Sequence, residues 1–269
     1  MINRKGGCGK TTTAVSVAAV LGEMGRRVLL VDLDPQGSAS AWLAHGPTDG
    51  RELFDAFVGT RWLAELAEPS RASGVDLVSA SSWLVTAERN LQVDLALGAI
   101  RAIERIPKDW DFVILDCPPT LGYLASAALC ASREAIVPTE AHGLDLPGIE
   151  SVVDEMERIH GRLNPALVLT GIVVGRVSRT NHTRDVISEL LAAHGPEVFD
   201  ATIRDSIRVP EAAAAGLPVT VYAPNSKVAA DIRAVAEEVI LRDPDRREEP
   251  AGPTIGWRRI VDRLVGTRS

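Results

Sequence analysis

The chain has 269 residues, of which 46 % are hydrophobic and 24 % charged, and these proportions exclude a disordered or fibrous protein. Aromatic residues make up only 4 %, so the core is expected to consist of Ala, Val, Leu and Ile. A formal net charge of −7 excludes a surface that is basic throughout, although it permits one local basic patch.

Apolar β-branched runs alternate with segments of helical periodicity along the chain. The predicted strands are residues 28–32, 75–79, 112–116, 135–138, 167–174, 198–203 and 219–222, and the predicted helices are 14–24, 91–106, 149–163 and 226–241. Several strands lack period-two alternation, which is typical of strands buried on both faces of a parallel sheet. The sequence therefore predicts an α/β fold with a doubly wound, mainly parallel sheet and helices on both faces.

The one break in composition is a charged, proline-bounded segment at residues 242–253. It separates a predicted domain, residues 1–241, from a short tail, residues 254–269. In the tail, apolar side chains fall on one arc of a helix and basic side chains fall mainly on the other. Two interpretations stay open for this amphipathic tail: docking on a protein surface, or a weak contact with an anionic membrane.

A glycine-rich segment, NRKGGCGKTT at residues 3–12, precedes the first predicted helix. Gly6, Gly7 and Gly9 let the backbone N–H groups turn inward, and the helix that follows adds the positive end of its dipole. The ordinary P-loop pattern has glycine where this chain has Arg4, whereas the Gly-Lys-Thr end, with Lys10, fits it. The segment predicts a phosphate-binding loop.

Acidic residues follow two of the buried strands. Asp32 and Asp34 end the first strand in VDLDPQG, and Asp116 ends the third in VILDCPP. Because the carboxyl ends of strands in a doubly wound sheet converge on the ligand crevice, these carboxylates are expected beside the loop. With the Thr11 hydroxyl they predict a Mg²⁺ site formed by Thr11, Asp34 and Asp116.

The segment KGGCGKTT resembles the deviant Walker A motif of the ParA/MinD ATPase superfamily, and VDLDPQGSAS and VILDCPP resemble its ParA/Soj-type partition ATPases. The resemblance extends from Asn3 to about Leu241 and includes IRDSIRVPEAAAAGLPV. It implies a P-loop NTPase fold, ATP and Mg²⁺ as cofactors, and hydrolysis of ATP to ADP and phosphate. It also implies an ATP-dependent homodimer that binds DNA without sequence preference and a ParB-type partner that stimulates turnover. The process would be chromosome or plasmid partition, at the nucleoid in the cytoplasm.

The resemblance also implies roles for individual residues. Lys10 would neutralise the β- and γ-phosphates of its own nucleotide, and Lys5 would reach the nucleotide of the partner subunit. Thr12 would contact the α-phosphate, Asp34 would position the attacking water, and Asp116 would hold Mg²⁺ through its water shell. The nucleotide-binding residues would be Lys5, Gly6, Gly7, Cys8, Gly9, Lys10, Thr11 and Thr12, with Lys5, Lys10 and Asp34 catalytic.

DNA binding by such a dimer requires clustered positive charge. The candidates are Arg184, Arg204 and Arg208, with Arg176 and Arg179 near the first of them in the sequence. The alternative interpretation is that these are solvated surface arginines.

Two other functions stay open. The first is a MinD-like, membrane-associated positioning ATPase, which the amphipathic tail favours. The second is an iron–sulfur electron-transfer protein, suggested by Cys8, Cys117 and Cys130, although each cysteine is better explained as a small buried side chain. Three cysteines form no disulfide framework, no apolar run reaches the roughly 18 residues of a membrane span, and no signal-peptide pattern is present. A cytoplasmic protein is therefore expected.

The N-terminus departs from the family pattern. Family members place a full hydrophobic strand before the loop, next to the strand that ends at Asp116, whereas this sequence offers only Met1 and Ile2. Omitting that strand would leave backbone groups unpaired and a gap in the core. The natural start is therefore expected upstream of Met1.

Overall fold

The structure, a computed structural model, describes residues 1–46, 52–88, 92–142 and 145–243. The predicted tail, residues 254–269, and most of the predicted linker lie outside these ranges. Within them the strands are β1 Val28–Asp32, β2 Glu68–Pro69, β3 Val75–Val78, β4 Phe112–Asp116, β5 Glu134–Glu140 and β6 Val168–Gly175.

The helices cover both faces of the strands. In chain order they are α1 Lys10–Glu23, α2 Ser38–Leu43, α3 Glu52–Phe57, α4 Trp83–Glu88, α5 Gln92–Glu104, α6 Tyr123–Ala131, α7 Leu146–Arg162, α8 Asn181–His194, α9 Arg208–Ala215, α10 Val219–Tyr222 and α11 Lys227–Arg242. Short 3₁₀ turns lie at Leu63–Leu66 and Gly195–Glu197. The predicted α/β fold with a mainly parallel sheet is confirmed.

The strands run in the order β2-β3-β1-β4, followed by the pair β5-β6. β1 is parallel to both β3 and β4, and only β2 is antiparallel among the described strands. Met1 and Ile2 lie between β4 and β5. The Met1 ammonium donates to the Leu115 oxygen at 2.8 Å, and the Ile2 N–H donates to the Ile136 oxygen at 3.0 Å. These two residues thus connect the two sheets at the position where the family pattern has a strand.

Alternating side chains of β1 divide the core into two layers. Leu29 and Val31 pack in a cluster with α5, α6 and α7, whereas Val28 and Leu30 pack in a second cluster with α1 and α11. All five residues of β1 are buried, as expected for a central parallel strand. The loop before α1 and the segment after β1 lie at the same edge of the sheet, where residues of both line one cavity.

Two predicted strands differ from the structure. Residues 198–203 do not form a regular strand: Val198 forms one isolated parallel bridge with Ile172 of β6, and the Phe199 N–H donates to the Ile172 oxygen at 2.8 Å. The predicted strand 219–222 is wrong, because this segment is the short helix α10. Its N-cap is Pro218, and the Thr220 hydroxyl bonds to Glu23 at the end of α1. These contacts outweigh the β propensity of its Val-Thr-Val-Tyr sequence.

Arg242, which the sequence analysis placed in the linker, is the last residue of α11 and joins that helix to the edge of the sheet. Its guanidinium donates to Glu238 Oε1 at 2.8 Å and to the backbone oxygens of Thr170 at 3.2 Å and Val198 at 2.8 Å. It also lies over the Phe199 ring, 4.4 Å from the centroid. With 16 % of its side chain exposed, Arg242 is part of the packed domain.

We expect Arg242→Met to lower the free energy of unfolding by about 2–3 kcal/mol, because a partly buried carboxylate and several carbonyls lose a charged donor. Urea unfolding measures this change. Arg158→Met is the control: its side chain is 66 % exposed and pairs with Glu155 on the surface. That variant is expected to lose less than about 0.5 kcal/mol. Equal losses in the two variants would contradict the assigned role of Arg242.

Candidate nucleotide and magnesium site

The glycine-rich loop occupies the carboxyl edge of the sheet and opens α1. Gly7 and Gly9 have φ angles of 76° and 89°, a left-handed conformation that favours glycine. Buried Asn3 holds the loop in place: its Nδ2 donates to the Pro138 oxygen at 2.7 Å, and its Oδ1 accepts from the Lys5 N–H at 3.1 Å. The N-cap of α1 is Gly9, which has no side chain to cap the first turn. An anion at this end would therefore meet the helix dipole and backbone N–H groups.

Lys10 is buried beneath the loop. Its Nζ donates to the Lys5 carbonyl at 3.1 Å and lies 3.8 Å from Cys8 Sγ. Its hydrogen-bond partners among the described residues are thus a carbonyl and a thiol and not a carboxylate. This arrangement leaves the positive charge of Lys10 available for an anionic ligand.

The three predicted acids adopt three different roles. Asp32 accepts hydrogen bonds from the Ser40 N–H at 2.8 Å and the Ser40 hydroxyl at 2.7 Å, so it anchors the start of α2. Burial, and next the charge of Asp116, raise the pKa of Asp32 to about 7. Asp34 accepts from the Gln36 N–H at 2.9 Å through one of its oxygens. Asp116 ends β4 directly opposite Asp32 in the parallel register.

Asp116 has the environment of a cation-binding residue. Both of its carboxylate oxygens are buried, and neither has a hydrogen-bond partner of normal geometry in the part of the chain that the structure describes. Burial raises its pKa to about 6, while the Thr11 hydroxyl and the charge of Lys10 lower it. A hydrated Mg²⁺ would satisfy both oxygens, so Thr11 and Asp116 fit the predicted metal site.

The loop and Asp34 line a cavity of about 510 Å³. Its lining residues are Gly6, Gly7, Gly9, Lys10, Thr11, Thr12, Asp34, Ser38, Ala41, Trp42, Pro119 and Ala213. Most of the predicted site is therefore brought together, whereas Lys5, Cys8 and Asp116 do not line this cavity. The lining residues that were not predicted from the sequence are Ser38, Ala41, Trp42, Pro119 and Ala213. One feature of the sequence could have indicated Trp42: it is an aromatic residue in a chain that has few, and it lies directly after the acidic motif. No such feature marks Ala213.

Two of the three cysteines are buried, and Cys130 is partly buried. Cys8 and Cys117 are buried, and burial raises the pKa of Cys8 and raises that of Cys117 to about 11. A raised pKa disfavours the thiolate, which is the form that binds iron. Within the described ranges no group of three or more Cys, His, Asp or Glu side chains could hold a metal ion.

The candidate DNA-binding arginines are engaged in local contacts. Arg204 forms a bidentate pair with Asp231, with Nε–Oδ2 at 2.5 Å and Nη2–Oδ1 at 2.7 Å. Arg208 pairs with Glu211 at 2.7 Å. Arg184, on α8, contacts the neutral side chain of Asn181. Carboxylates within the domain therefore offset part of the positive charge of Arg204 and Arg208. The contact with Asn181 does not offset the charge of Arg184, because the amide is neutral.

A glycine-rich loop that opens a helix beside carboxylates at the ends of parallel strands defines a P-loop nucleotide-binding protein. Comparisons with known proteins agree. Residues 1–169 match a family model described as an AAA domain. The chain is 35 % identical to the chromosome partitioning protein ParA of Caulobacter vibrioides over 259 residues, which cover 93 % of this chain and 96 % of that protein. It is 38 % identical to the chromosome-partitioning ATPase Soj of Thermus thermophilus over 245 residues, or 90 % and 94 % of the two chains.

A solved structure shows the same fold. Cobyrinic acid a,c-diamide synthase from Mycobacterium smegmatis, with bound ATP analogue and magnesium, matches with a TM-score of 0.78 and 29 % identity, covering 94 % of this chain and 96 % of that one. The present chain belongs to the ParA/Soj family of deviant Walker A ATPases, within the ParA/MinD superfamily.

The buried charge of Asp116 yields a prediction about stability and pH. Its folded-state pKa of about 6 exceeds the ordinary value of 3.8, so the ionised carboxylate opposes folding once the pH rises above that ordinary value. The opposing effect grows until about pH 6 and is then constant, at no more than about 3 kcal/mol. Without nucleotide or Mg²⁺, we therefore expect Asp116→Asn to raise the melting temperature more at pH 8 than at pH 5.

The matched control for this prediction is Asp109→Asn, which alters an exposed carboxylate. It is expected to give no such difference between the two pH values. Adding ATP and Mg²⁺ should raise the melting temperature of the wild type more than that of Asp116→Asn. A variant that is destabilised equally at both pH values without ligand would contradict the assignment.

Proposed function

We propose that this chain is a Mg²⁺-dependent partition ATPase whose ATP-bound dimer binds DNA without sequence preference and releases it after hydrolysis. The observation that carries the proposal is the single cavity that brings Lys10, Thr11 and the loop glycines together with Asp34. Partition functions are named for its relatives ParA and Soj. A ParB-type, centromere-binding partner and a location at the nucleoid belong to the same proposal.

The residues of the cavity, together with Asp116, divide the chemistry of ATP hydrolysis among them. The loop N–H groups and Lys10 bind the phosphates, which the positive charge of Lys10 and the dipole of α1 favour. Thr11 and Asp116 hold Mg²⁺, which when bound offsets the negative charge on the phosphate oxygens. Asp34, oriented by the Gln36 N–H, positions the attacking water with its other carboxylate oxygen.

Lys5 acts across the dimer in this proposal. It lies at the start of the loop and does not line the cavity of its own chain. Its backbone carbonyl accepts a hydrogen bond from Lys10 Nζ at 3.1 Å. In this proposal the Lys5 side chain reaches the nucleotide bound by a second copy, where it would stabilise charge during phosphoryl transfer, as the resemblance to the family implies.

A MinD-like, membrane-associated function is the second candidate, and the basic, amphipathic sequence of the tail favours it. The tail lies outside the described residues. Within the described ranges no helix is both long and apolar enough to cross a bilayer. Flotation with anionic liposomes and DNA gel shifts, each with and without ATP, distinguish the two functions. Flotation that requires ATP and residues 254–269, without an ATP-dependent DNA shift, would favour the membrane function.

We expect the two loop lysines to fail differently when they are replaced. Lys10→Ala should weaken ATP binding by the monomer roughly tenfold or more, because a charged hydrogen bond to phosphate is lost. Lys5→Ala keeps the backbone carbonyl that Lys10 contacts, so it should retain ATP binding but lose ATP-driven dimerisation and turnover. Calorimetric titration with ATP and sedimentation mass measure the two effects, with the surface variant Lys108→Ala as control. Equal loss of monomer binding in both variants would refute the action of Lys5 in the partner subunit.

DNA binding is tested at Arg184 and Arg208, because replacing Arg204 would leave the largely buried carboxylate of Asp231 without its partner. Arg184→Gln combined with Arg208→Gln should weaken ATP-dependent binding to unrelated DNA sequences by the same factor. The slope of log affinity against log salt concentration should decrease by about 2. ATP hydrolysis without DNA should persist. Arg158→Gln is the control, and unchanged DNA affinity in the double variant would exclude these two arginines from the interface.

A further inference from the structure

The cavity that contains the phosphate loop has two chemically different sides. One side is formed by the loop glycines with Lys10, Thr11 and Thr12, which supply N–H, hydroxyl and ammonium donors. The other lining residues include Ser38, Ala41, Trp42 and Ala213, which we call the second side of the cavity. Two of these residues contribute only methyl groups and one contributes an aromatic ring, so this side is mainly apolar. Phosphates require only the first side, and the apolar side is therefore suited to another part of the ligand.

Trp42 is the aromatic residue among those that line this cavity. Its indole Nε1 donates to the backbone oxygen of Leu217 at 2.9 Å, so the polar group of the ring is already satisfied within the protein. Its side chain packs in the same cluster as Val219 and Ala212, and only 6 % of the residue is exposed. The accessible part of Trp42 is thus small, and because the indole N–H is occupied, what it offers a ligand is apolar contact.

The position of this ring is set at both ends of α2. At the start, the Ser40 N–H and hydroxyl donate to Asp32, and the Ser40 hydroxyl accepts from the Ala80 N–H at 2.8 Å. At the end, the bond from Trp42 to Leu217 joins α2 to the segment between α9 and α10. Trp42 is therefore held in place before any ligand binds, which reduces the entropy lost on binding.

We propose that the nucleoside part of the bound nucleotide packs against the indole ring of Trp42. This role rests on the proposed ATP-binding function and makes Trp42 a nucleotide-contacting residue that distinguishes a nucleoside triphosphate from a bare polyphosphate. The phosphates lie on the donor-rich side, and the base and ribose, which have apolar faces, lie on the side of Trp42. Contact between an aromatic ring and a nucleoside gains affinity from buried area and ring packing.

The test compares ATP with inorganic triphosphate, both with Mg²⁺, in calorimetric titrations. The wild type should bind ATP more tightly than triphosphate. Trp42→Leu should lower the affinity for ATP by about tenfold and leave the affinity for triphosphate unchanged. Trp42→Phe removes the hydrogen bond to Leu217 but keeps an aromatic ring, so it should retain most of the ATP affinity. Trp62→Phe, which alters a tryptophan that is 56 % exposed and lines a different cavity beside α3, is the matched control and should behave as the wild type.

The outcomes separate this inference from the function on which it rests. Failure of the wild type to bind ATP would overturn the proposed function itself. If the wild type binds ATP but Trp42→Leu weakens ATP and triphosphate equally, or weakens neither, the role of Trp42 is wrong and the ATP site stands.

Tryptophan emission gives a second measurement that does not depend on the folding of the leucine variant. Saturating ATP should change the emission of the wild type and of Trp62→Phe, whereas triphosphate should not. The ATP-induced change should disappear in Trp42→Phe. An emission change that persists in Trp42→Phe would overturn the inference.

Discussion

Two buried carboxylates face each other across hydrogen-bonded strands, and the surrounding site is arranged around them. Asp32 ends β1, Asp116 ends β4, and the parallel register places them side by side. Burial raises the pKa of both, to about 7 for Asp32 and about 6 for Asp116. Such a concentration of acid opposes folding unless neighbouring groups compensate for it. Hydrogen bonds from Ser40 stabilise the Asp32 carboxylate, and the Thr11 hydroxyl and the charge of Lys10 stabilise that of Asp116. The first set of contacts holds α2, and the second holds the phosphate loop, at this edge of the sheet.

The three acids at this edge of the sheet have different roles. Asp32 is occupied by α2 and acts on the site by holding that helix, whereas Asp116 keeps both oxygens without a normal hydrogen bond among the described residues. Asp34 lies between them in the chain and lines the cavity. Because α2 carries Trp42, the Asp32 carboxylate that anchors this helix also positions Trp42 in the same cavity. The position of Trp42 in this cavity thus depends on the buried hydrogen bonds between Asp32 and Ser40.

The arginines show how tertiary contacts change the meaning of a charged sequence. In the sequence, Arg204 and Arg208 are candidate DNA-binding arginines in a segment that resembles the family. In the structure, Arg204 joins the segment before α9 to α11 through Asp231, and Arg208 pairs with Glu211 within α9. Part of the positive charge that would attract DNA is therefore neutralised by carboxylates within the domain. Arg184, which contacts a neutral side chain, keeps more of its field for an external phosphate.

The sequence by itself determined the sheet class, the phosphate loop and the acids, because each depends on side-chain chemistry at short spacing. Fully apolar runs identified β1 and β4, and the three glycines before Lys10 identified the loop. Tertiary structure decided the rest: residues 219–222 are a helix, Met1 and Ile2 connect the two sheets, and Trp42 lines the nucleotide cavity. Each of these features depends on a partner far along the chain; Trp42 and Leu217, for example, are 175 positions apart. No local pattern records such contacts, because only the packed fold brings the two groups together.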